Sequence, residues 1–586
     1  TSRLKPTPTA KPLAGPIVAK GAAPGAMPIV ASSFKGVQPG QSTRDDVVRL
    51  WGAPQAIRKV EGAVERTYEI EPYIRVVVSL VDAKVSAIVL HLKQPLNPEV
   101  LAKQLQIGAA EPVTVLDALG QPLGQAYPER GVLFAFVPAV SPPRVAQVVL
   151  EGLDAQSFVL RAEQTWRQRY ISALADLDAA IKLDPQNARA HSLRAELLSA
   201  IGDYELAFKH AQEAVALEAA EPEHALVLAK VSAEMSDFVR AGQLNQEVAV
   251  TVEIPAVMKA RAECQWGDCL AAGPERDYQQ AVKHHMQAIK LAEPLATDSQ
   301  TAVRRAAKRV LLEAHLGVAF DVASGRWQDK SKVVSKWLDR ASALAEDQIT
   351  REQAPEELRL QVAHRALASL VGIQDPPDPS AWIETTLQVG RRRIELAPDP
   401  ARKRTLEWQL GLALSDAAQI QTARARHEQA IGFAELSADY LRLGAKAGEQ
   451  LPGHDFLVGR LYYRLGAIFA LSRHDHLRAA TWYEKAVPLL ESPVPPSALT
   501  DPGRHGESFV SMAVSYWEIR KSQEALRLTK QGLKLMEQAV DQQLLERTAL
   551  AVPYGNLSSM LQELGQEKEA KQFATMAANC EQTQRQ

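Results

Sequence analysis

Cysteine is scarce in this chain: 586 residues carry three, Cys264, Cys269 and Cys580. In a helical context the first two turn their side chains apart. Their Cα atoms then lie about 8 Å from each other, beyond the ~7 Å that a disulfide spans. They read as buried free thiols rather than as a disulfide or metal pair, and cysteine leaves the redox compartment undecided. Long apolar runs are missing as well. No stretch approaches the ~20 residues that a membrane-spanning helix requires. Net charge is only −2, with 67 Lys and Arg against 69 Asp and Glu. That balance argues against a whole-protein attraction to nucleic acid. Catalytic signatures are lacking too: there is no G-x-x-x-x-G-K-[ST], no G-x-S-x-G and no H-E-x-x-H. The expectation is a chain that is not an enzyme, with no catalytic residue, no cofactor and no metal. It opens on Thr1 rather than Met, as a chain does after loss of a leader peptide or after trimming.

Acids and aromatics are absent from residues 1–33, which are rich in Pro, Ala and Gly and carry Arg3, Lys5, Lys11 and Lys20. Such a segment cannot bury a core and reads as a disordered basic tether; the sharper alternative is a tail that touches an anionic surface or partner. Residues 34–150 change character. Thr43-x-x-Asp46 has the form of a capping box, Val47, Val48, Leu50 and Trp51 give the following helix an apolar face, and Gly52-Ala53-Pro54 ends it. Three runs rich in Val and Ile, Arg66–Ile70, Ile74–Val81 and Val85–Leu92, read as strands. The V-x-x-x-x-G-x-P frame of Val47–Pro54 recurs at Val115–Pro122, with strand candidates after it at 132–137 and 145–150. Two copies of a helix–G-x-P–sheet unit are expected.

From Asp154 onward the pattern is helical and repeats at a 34-residue step. Tyr204, Ala207, Ala214 and Leu217 have counterparts at Tyr170, Ala173, Ala180 and Leu183, and again at Phe238, Ala241 and Val248. The template returns at Met512-Ala513, Tyr516 and Ala525, and at Leu557-Ser558, Leu561, Gly565 and Ala570. This spacing resembles the tetratricopeptide repeat (TPR) family. The resemblance implies a mainly α fold, a TPR-like right-handed α-solenoid preceded by a small α+β tandem domain. The expected divisions are a tether over 1–33 and an α+β domain over 34–150. A TPR array follows over 151–296, then divergent long-helix pairs over 297–450 and a C-terminal array over 451–586. Twenty helices in ten pairs are expected. Trp327, Trp337, Trp382 and Trp408 are expected to fill wider gaps in the divergent region, and Pro376, Pro377 and Pro379 to break it.

The first G-x-P unit, through Thr43, Val47, Gly52 and Pro54, resembles the small outer-membrane assembly lipoprotein family. The tandem, adding Val115, Gly120 and Pro122, resembles the β-lactamase-inhibitor-protein fold. The family's lipid-bearing N-terminal cysteine has no counterpart here. The resemblance implies a bacterial envelope location, periplasmic or outer-membrane-associated, and a protein–protein role. The functional expectation is a non-enzymatic scaffold. The alternative is a cytoplasmic TPR adaptor whose N-terminal domain binds or regulates an enzyme. Partners would be other proteins or copies of the chain itself, with no nucleic acid.

The Lys–Asn pair by which some TPR proteins grip a C-terminal carboxylate is missing: Ser192 with Glu196 and Leu226 with Lys230 stand there. If an aromatic-lined groove is used instead, Arg460, Tyr463 and Trp517 are the candidate partner-binding residues. His284-His285 cannot share an ion, because adjacent helical positions point about 100° apart. His474-Asp475-His476 reads as a solvated turn, the runs 304–309 and 391–393 as solvated basic faces, and Ser492–Gly503 as a connector or a partner-facing loop. In the last helix Phe573, Met576 and Ala577 are expected to face inward, leaving Ala574, Ala578 and Cys580 on flanking faces. Together with an extension over Val540–Leu550, that face could be capped by another copy in a head-to-tail oligomer. Replacing Ala207 by Leu should force two close helices apart. Denaturant melts should register a loss of about 1–3 kcal/mol, and an unchanged melt would refute the register.

Overall fold

The computed structural model describes residues 28–582 apart from 118–119, 167–168, 372, 398–399, 446–453, 494–501 and 543. Residues 1–27 of the tether expected over 1–33, and most of the Pro-rich loop Ser492–Gly503, lie outside the described residues. The chain packs as two compact units. One holds the described residues up to Ala200 with 204–231 and 294–306; the other holds 201–203, 232–293 and 307 onward.

The first unit contains two successive sets of one helix and a four-stranded meander. The first set is α1 (Arg44–Trp51), β1 (Ala56–Val60), β2 (Ala63–Tyr68), β3 (Arg75–Val81) and β4 (Lys84–Leu96). The second is α2 (Pro98–Gln104), β5 (Val113–Leu116), β6 (Pro122–Tyr127), β7 (Val132–Phe136) and β8 (Val145–Glu151). They merge into one antiparallel sheet of order β1-β2-β3-β4-β8-β7-β6-β5. The last strand of each set meets the other, Ile88 opposite Leu150 and Leu90 opposite Val148. Alternating Val and Leu of β3 and β4 join Val47 of α1 and Leu101 of α2 in one buried core. At α1 the capping box is formed: Thr43 Oγ1 accepts from the Asp46 amide at 3.3 Å, and the Thr43 amide donates to Asp46 Oδ2 at 3.0 Å.

Three expectations are corrected here. Among the described residues the second V-x-x-x-x-G-x-P frame holds no helix: Val113–Leu116 is strand β5, Gly120 lies in the connection that follows, and Pro122 opens β6. There the Asp117 carboxylate accepts from the Gln121 amide at 2.8 Å. Gly120 sits at φ +82°, close to the +84° of Gly52. A glycine with left-handed φ is needed after a helix and in a hairpin alike, so the frame does not distinguish them. The second copy's helix is α2, opened by the Asn97 cap and Pro98 at its first turn. Secondly, a strand precedes the three expected ones: β1 was hidden by its exposed Arg58 and Lys59. Thirdly, residues 28–33 are not tether. The Val30 and Ser32 amides donate to the Glu129 and Arg130 carbonyls, and Ser32 is buried.

In the same unit, α3 (Ala155–Thr165), α4 (Tyr170–Leu183), α5 (Ala188–Ala200) and α6 (Tyr204–Leu217) begin the helical repeats. Arg161 of α3 joins them to the sheet. Its guanidinium makes two hydrogen bonds to the Asp176 carboxylate of α4 and two to Glu129, and donates to the Glu111 carbonyl at 2.6 Å. Burial opposes both ionised partners, and the paired hydrogen bonds hold the Arg161 charge in place.

Sixteen further helices complete the body, from α7 (Pro222–Glu234) to α22 (Glu567–Gln582), so twenty follow Asp154 among the described residues. Those of 301–352 and 400–423 are long, 23 or 24 residues each, as expected for the divergent region. The repeat alanines Ala173, Ala180, Ala207, Ala214, Ala241, Ala281, Ala288 and Ala525 have no exposed surface, which lets neighbouring backbones approach. Of the four tryptophans expected to fill gaps, Trp408 is buried; Trp327, Trp337 and Trp382 are only half-buried. In α22 the inward face is Ala570, Phe573, Ala577 and Cys580, while Met576 is 45% exposed, so the expected places of Met576 and Cys580 are exchanged.

A backbone signature accompanies the repeats. Gly202, Ser236, Arg276, Ala425, His474, Arg520 and Gly565 all have positive φ, and each stands two residues before a helix begins. At four of them the next amide donates to the carbonyl five residues upstream: Asp237 to Ser232, Arg426 to Gln421, Lys521 to Tyr516 and Gln566 to Leu561. This is the Schellman ending, which satisfies helix carbonyls and reverses the chain in two residues. Asp237, Asp277 and Asp475 then cap the following helix. Ala425 is exposed and takes left-handed φ (+55°) without glycine's freedom. Ala425→Gly should therefore stabilise the protein by about 0.5–1 kcal/mol, read by chemical denaturation; a loss of stability would contradict the strain.

Candidate functional site

The three candidate partner-binding residues lie in the second unit, on α17 (His454–Arg473) and α19 (Pro502–Glu518), which pack with α18 (His476–Glu491) and α20 (Ser522–Asp541). Tyr483 of α18 is fully buried and lies between Tyr463 (centroids 6.1 Å apart) and Tyr516 (6.4 Å). Gly466 makes room for its ring: a Cβ there would come within 2.2 Å of it. Tyr463 and Trp517 are half-buried and pack against this same core. Arg460 lies one turn before Tyr463, its guanidinium 5.6 Å from the Phe456 ring centroid. The three residues thus border one aromatic core, each serving the packing while keeping some surface.

Sequence reading passed over their neighbours. Tyr462 and Trp482 approach to 5.8 Å, and Lys485 Nζ stands 4.3 Å from the centre of the Trp482 ring. On either side of the α17–α18 turn Leu471 and Leu477 are 77% and 68% exposed. The signal for this strip was available: Tyr462 and Lys485 fall outside the repeat's small-residue positions. Of His474-Asp475-His476, expected as a solvated turn, His474 and Asp475 form the turn; Asp475 caps α18, and His476 opens that helix, part-buried with Nδ1 3.1 Å from Ser515 Oγ.

A second cluster in this unit was not foreseen. His285 of α10 (Tyr278–Ala292) has no exposed surface. Its Nδ1 is 2.8 Å from Asp321 Oδ2 of α11 (Thr301–Ser324), and its Nε2 is 3.4 Å from Asp268 Oδ1 of α9 (Ala256–Ala272). Gly267 and Gly317 flank the imidazole, where a Cβ would lie 2.8 Å and 2.5 Å from the ring. Burial alone would lower the His285 pKa; the neighbouring Asp268, Asp321 and Cys264 side chains outweigh it and raise it well above the ordinary imidazole value. Cys264 and Cys269 are buried free thiols, as expected, pushed up to about 11 and about 12 chiefly by burial. Mid-helix glycine in Trp266-Gly267-Asp268 and Leu316-Gly317 was the one sequence sign of this cluster. His284 turns the other way, to Glu263 at 2.7 Å and onto Trp266.

The basic runs are drawn into ion pairs. Lys308 Nζ reaches Asp347 at 2.7 Å and Glu352 at 2.6 Å, and Arg392 reaches Glu356 at 3.4 Å.

No family model matches the chain, and no curated protein matches it. Solved structures do. The apo form of RapI matches at 13% identity and TM-score 0.33, over 50% of this chain and 98% of its own. A Rap protein complexed with Competence and Sporulation Factor matches at 11% and 0.36, over 68% and 98%. A Signal Transduction ATPase with Numerous Domains protein with a tetratricopeptide repeat sensor, from Pyrococcus horikoshii, matches at 11% and 0.42; the match spans 77% of this chain and 63% of that one. The class defined by the chain's own elements is mainly α: TPR-like helical repeats after a small α+β domain. The lipoprotein-family likeness of the N-terminal residues rests on Thr43, Val47, Gly52 and Pro54 alone.

Charge around the candidate residues makes a further expectation. Arg464, one turn beyond Arg460, is pushed down to about 10 by burial and by Arg460. Asp416 of the 400–423 helix is pushed up to about 6 from 3.8 by burial, with Arg464 opposing the shift. A carboxyl group with a raised folded pKa favours folding while protonated, and that contribution is lost as pH rises through about 6. Asp416→Asn should match the parent near pH 4 and melt higher from pH 6 upward. A melting difference independent of pH would refute the assignment.

Proposed function

We propose that this chain is a non-enzymatic protein–protein interaction scaffold of the bacterial cell envelope. The observation that carries the scaffold reading is the half-buried set Arg460, Tyr463 and Trp517 around one aromatic core. Aromatic and arginine anchors in a partly desolvated setting are the side chains on which interfaces depend most. Repeated helical pairs supply the rigid surface, and the helix–sheet N-terminal region supplies a second docking face. Partners are other proteins or further copies of the chain.

The envelope location, periplasmic or outer-membrane-associated, is drawn from the N-terminal resemblance. No helix among the described residues is long and apolar enough to cross a membrane. Cell fractionation with mass spectrometry of the native N-terminus tests the location. Recovery in a cytoplasmic fraction would favour the adaptor reading instead.

Arg460→Ala, Tyr463→Ala and Trp517→Ala should each weaken binding of the captured partner about tenfold or more, equivalent to ~1.4 kcal/mol, with helicity retained. Undiminished binding by all three folded variants would refute the site. Light scattering at micromolar concentration separates self-assembly from binding of another protein, since a mass constant at 64.0 kDa excludes the former.

A further inference from the structure

The His285 cluster buries a polar ring at a cost in helix propensity and desolvation. Glycine inside a helix is about 1 kcal/mol less favourable than alanine. Here two helices carry one, Gly267 and Gly317, each where a Cβ would strike the His285 ring. A buried ion pair is also a poor stabiliser compared with apolar side chains of similar volume. Elsewhere one glycine admits one large ring, as Gly466 does for Tyr483; here two glycines on different helices admit one polar imidazole.

The two imidazole nitrogens are held differently: Nδ1 by a short hydrogen bond, Nε2 only by the 3.4 Å approach of Asp268. Nδ1 is held by Asp321, itself fully buried, at 2.8 Å. Nε2 is buried and makes no hydrogen bond of acceptable geometry. It is directed toward Cys264 and Asp268, which stand four residues apart on one face of α9. One ligand atom from each of Cys264, Asp268 and His285 lies within 4.8 Å of the other two. A carboxylate that orients a histidine whose other nitrogen meets a metal is the usual outer support of a metal site.

We propose that Cys264, Asp268 and His285 bind one zinc-class divalent ion, with Asp321 as the positioning residue for the imidazole. One thiolate, one imidazole and one carboxylate suit Zn²⁺ or Co²⁺ and not Mg²⁺ or Ca²⁺, which take all-oxygen sets. Bonds of about 2.0–2.3 Å bring tetrahedral ligand atoms to roughly 3.3–3.8 Å from one another. The closure is small, and Asp268 can supply it because its side chain is 50% exposed. The same exposure gives the ion a way in. As the metal–sulfur and metal–nitrogen bonds form, the Cys264 thiol proton and any proton on Nε2 pass to solvent. Three protein ligands leave a fourth position for water. Bound there, the ion ties α9 to α10 directly and to α11 through Asp321.

Co²⁺ reports on such a site through its absorption. The full chain, stripped with chelator, is titrated with Co²⁺. One equivalent should produce a thiolate-to-cobalt charge-transfer band with the visible bands of a four-coordinate ion, and Zn²⁺ should abolish both. Cys264→Ser should remove the charge-transfer band, whereas Cys269→Ser and Cys580→Ser keep it. Asp268→Asn, at a half-exposed position that leaves the fold intact, should weaken Co²⁺ binding at least tenfold. Zn²⁺ should raise the melting temperature of the parent and not of Cys264→Ser. Absence of the band in folded parent protein, or its survival in Cys264→Ser, overturns the proposal.

Discussion

The left-handed turn inside the helical pairs is the constraint from which the repeat geometry follows. A helix that ends in one residue of positive φ closes its carbonyls on the next amide and sends the chain back along itself. The second helix then starts with a capping Asp and an aromatic at fixed distance, as in Asp237-Phe238 and Asp277-Tyr278. With the reversal this short, the helices meet closely, and alanine is what fits at the contact. Larger side chains are displaced to the half-buried margin. That is why tyrosine and tryptophan of α17–α19 are found around a core and not only within it.

Much of this could be read in the sequence, because it depends on side-chain type at fixed spacing. Ala173, Ala207 and Ala241 at the 34-residue step located the contact faces, and all three have no exposed surface. Gly202 and Gly565 marked the left-handed residue at their turns; at Ser236, Arg276, Ala425 and Arg520 no glycine marks it, although Asp237-Phe238 and Asp277-Tyr278 still announced the helix that follows. There the backbone strain is held by hydrogen bonds, and hydrogen bonds between main-chain atoms leave no residue signature. Similarly, the tandem of helix and meander was foreseen while its second helix was misplaced. Val115–Pro122 satisfied a frame that records only a turn glycine. Asn97-Pro98 was the helix start that carried the stronger physical cue.

The candidate sites divide in the same way. Arg460, Tyr463 and Trp517 could be nominated from helical phase alone, and the structure brings them to the rim of one core. Phase does not reveal how far each is committed to packing. His285 was invisible for a different reason. Its partners Asp268 and Asp321 come from two other helices, one 17 residues before it and one 36 after. Spacing within one helix could show that His284 and His285 diverge; it could not show what His285 would meet.

The two glycines against His285 have a consequence for how this chain changes over generations. Alanine at Gly267 or Gly317 collides with the ring while the histidine is present. Loss of the histidine alone opens a void beside two carboxylates that then face each other across it. Each of these positions therefore constrains the others, and a single substitution there leaves a clash or a void. Histidine and both glycines are expected to persist together or to vanish together, so descendants of this chain should carry the trio as one inherited unit.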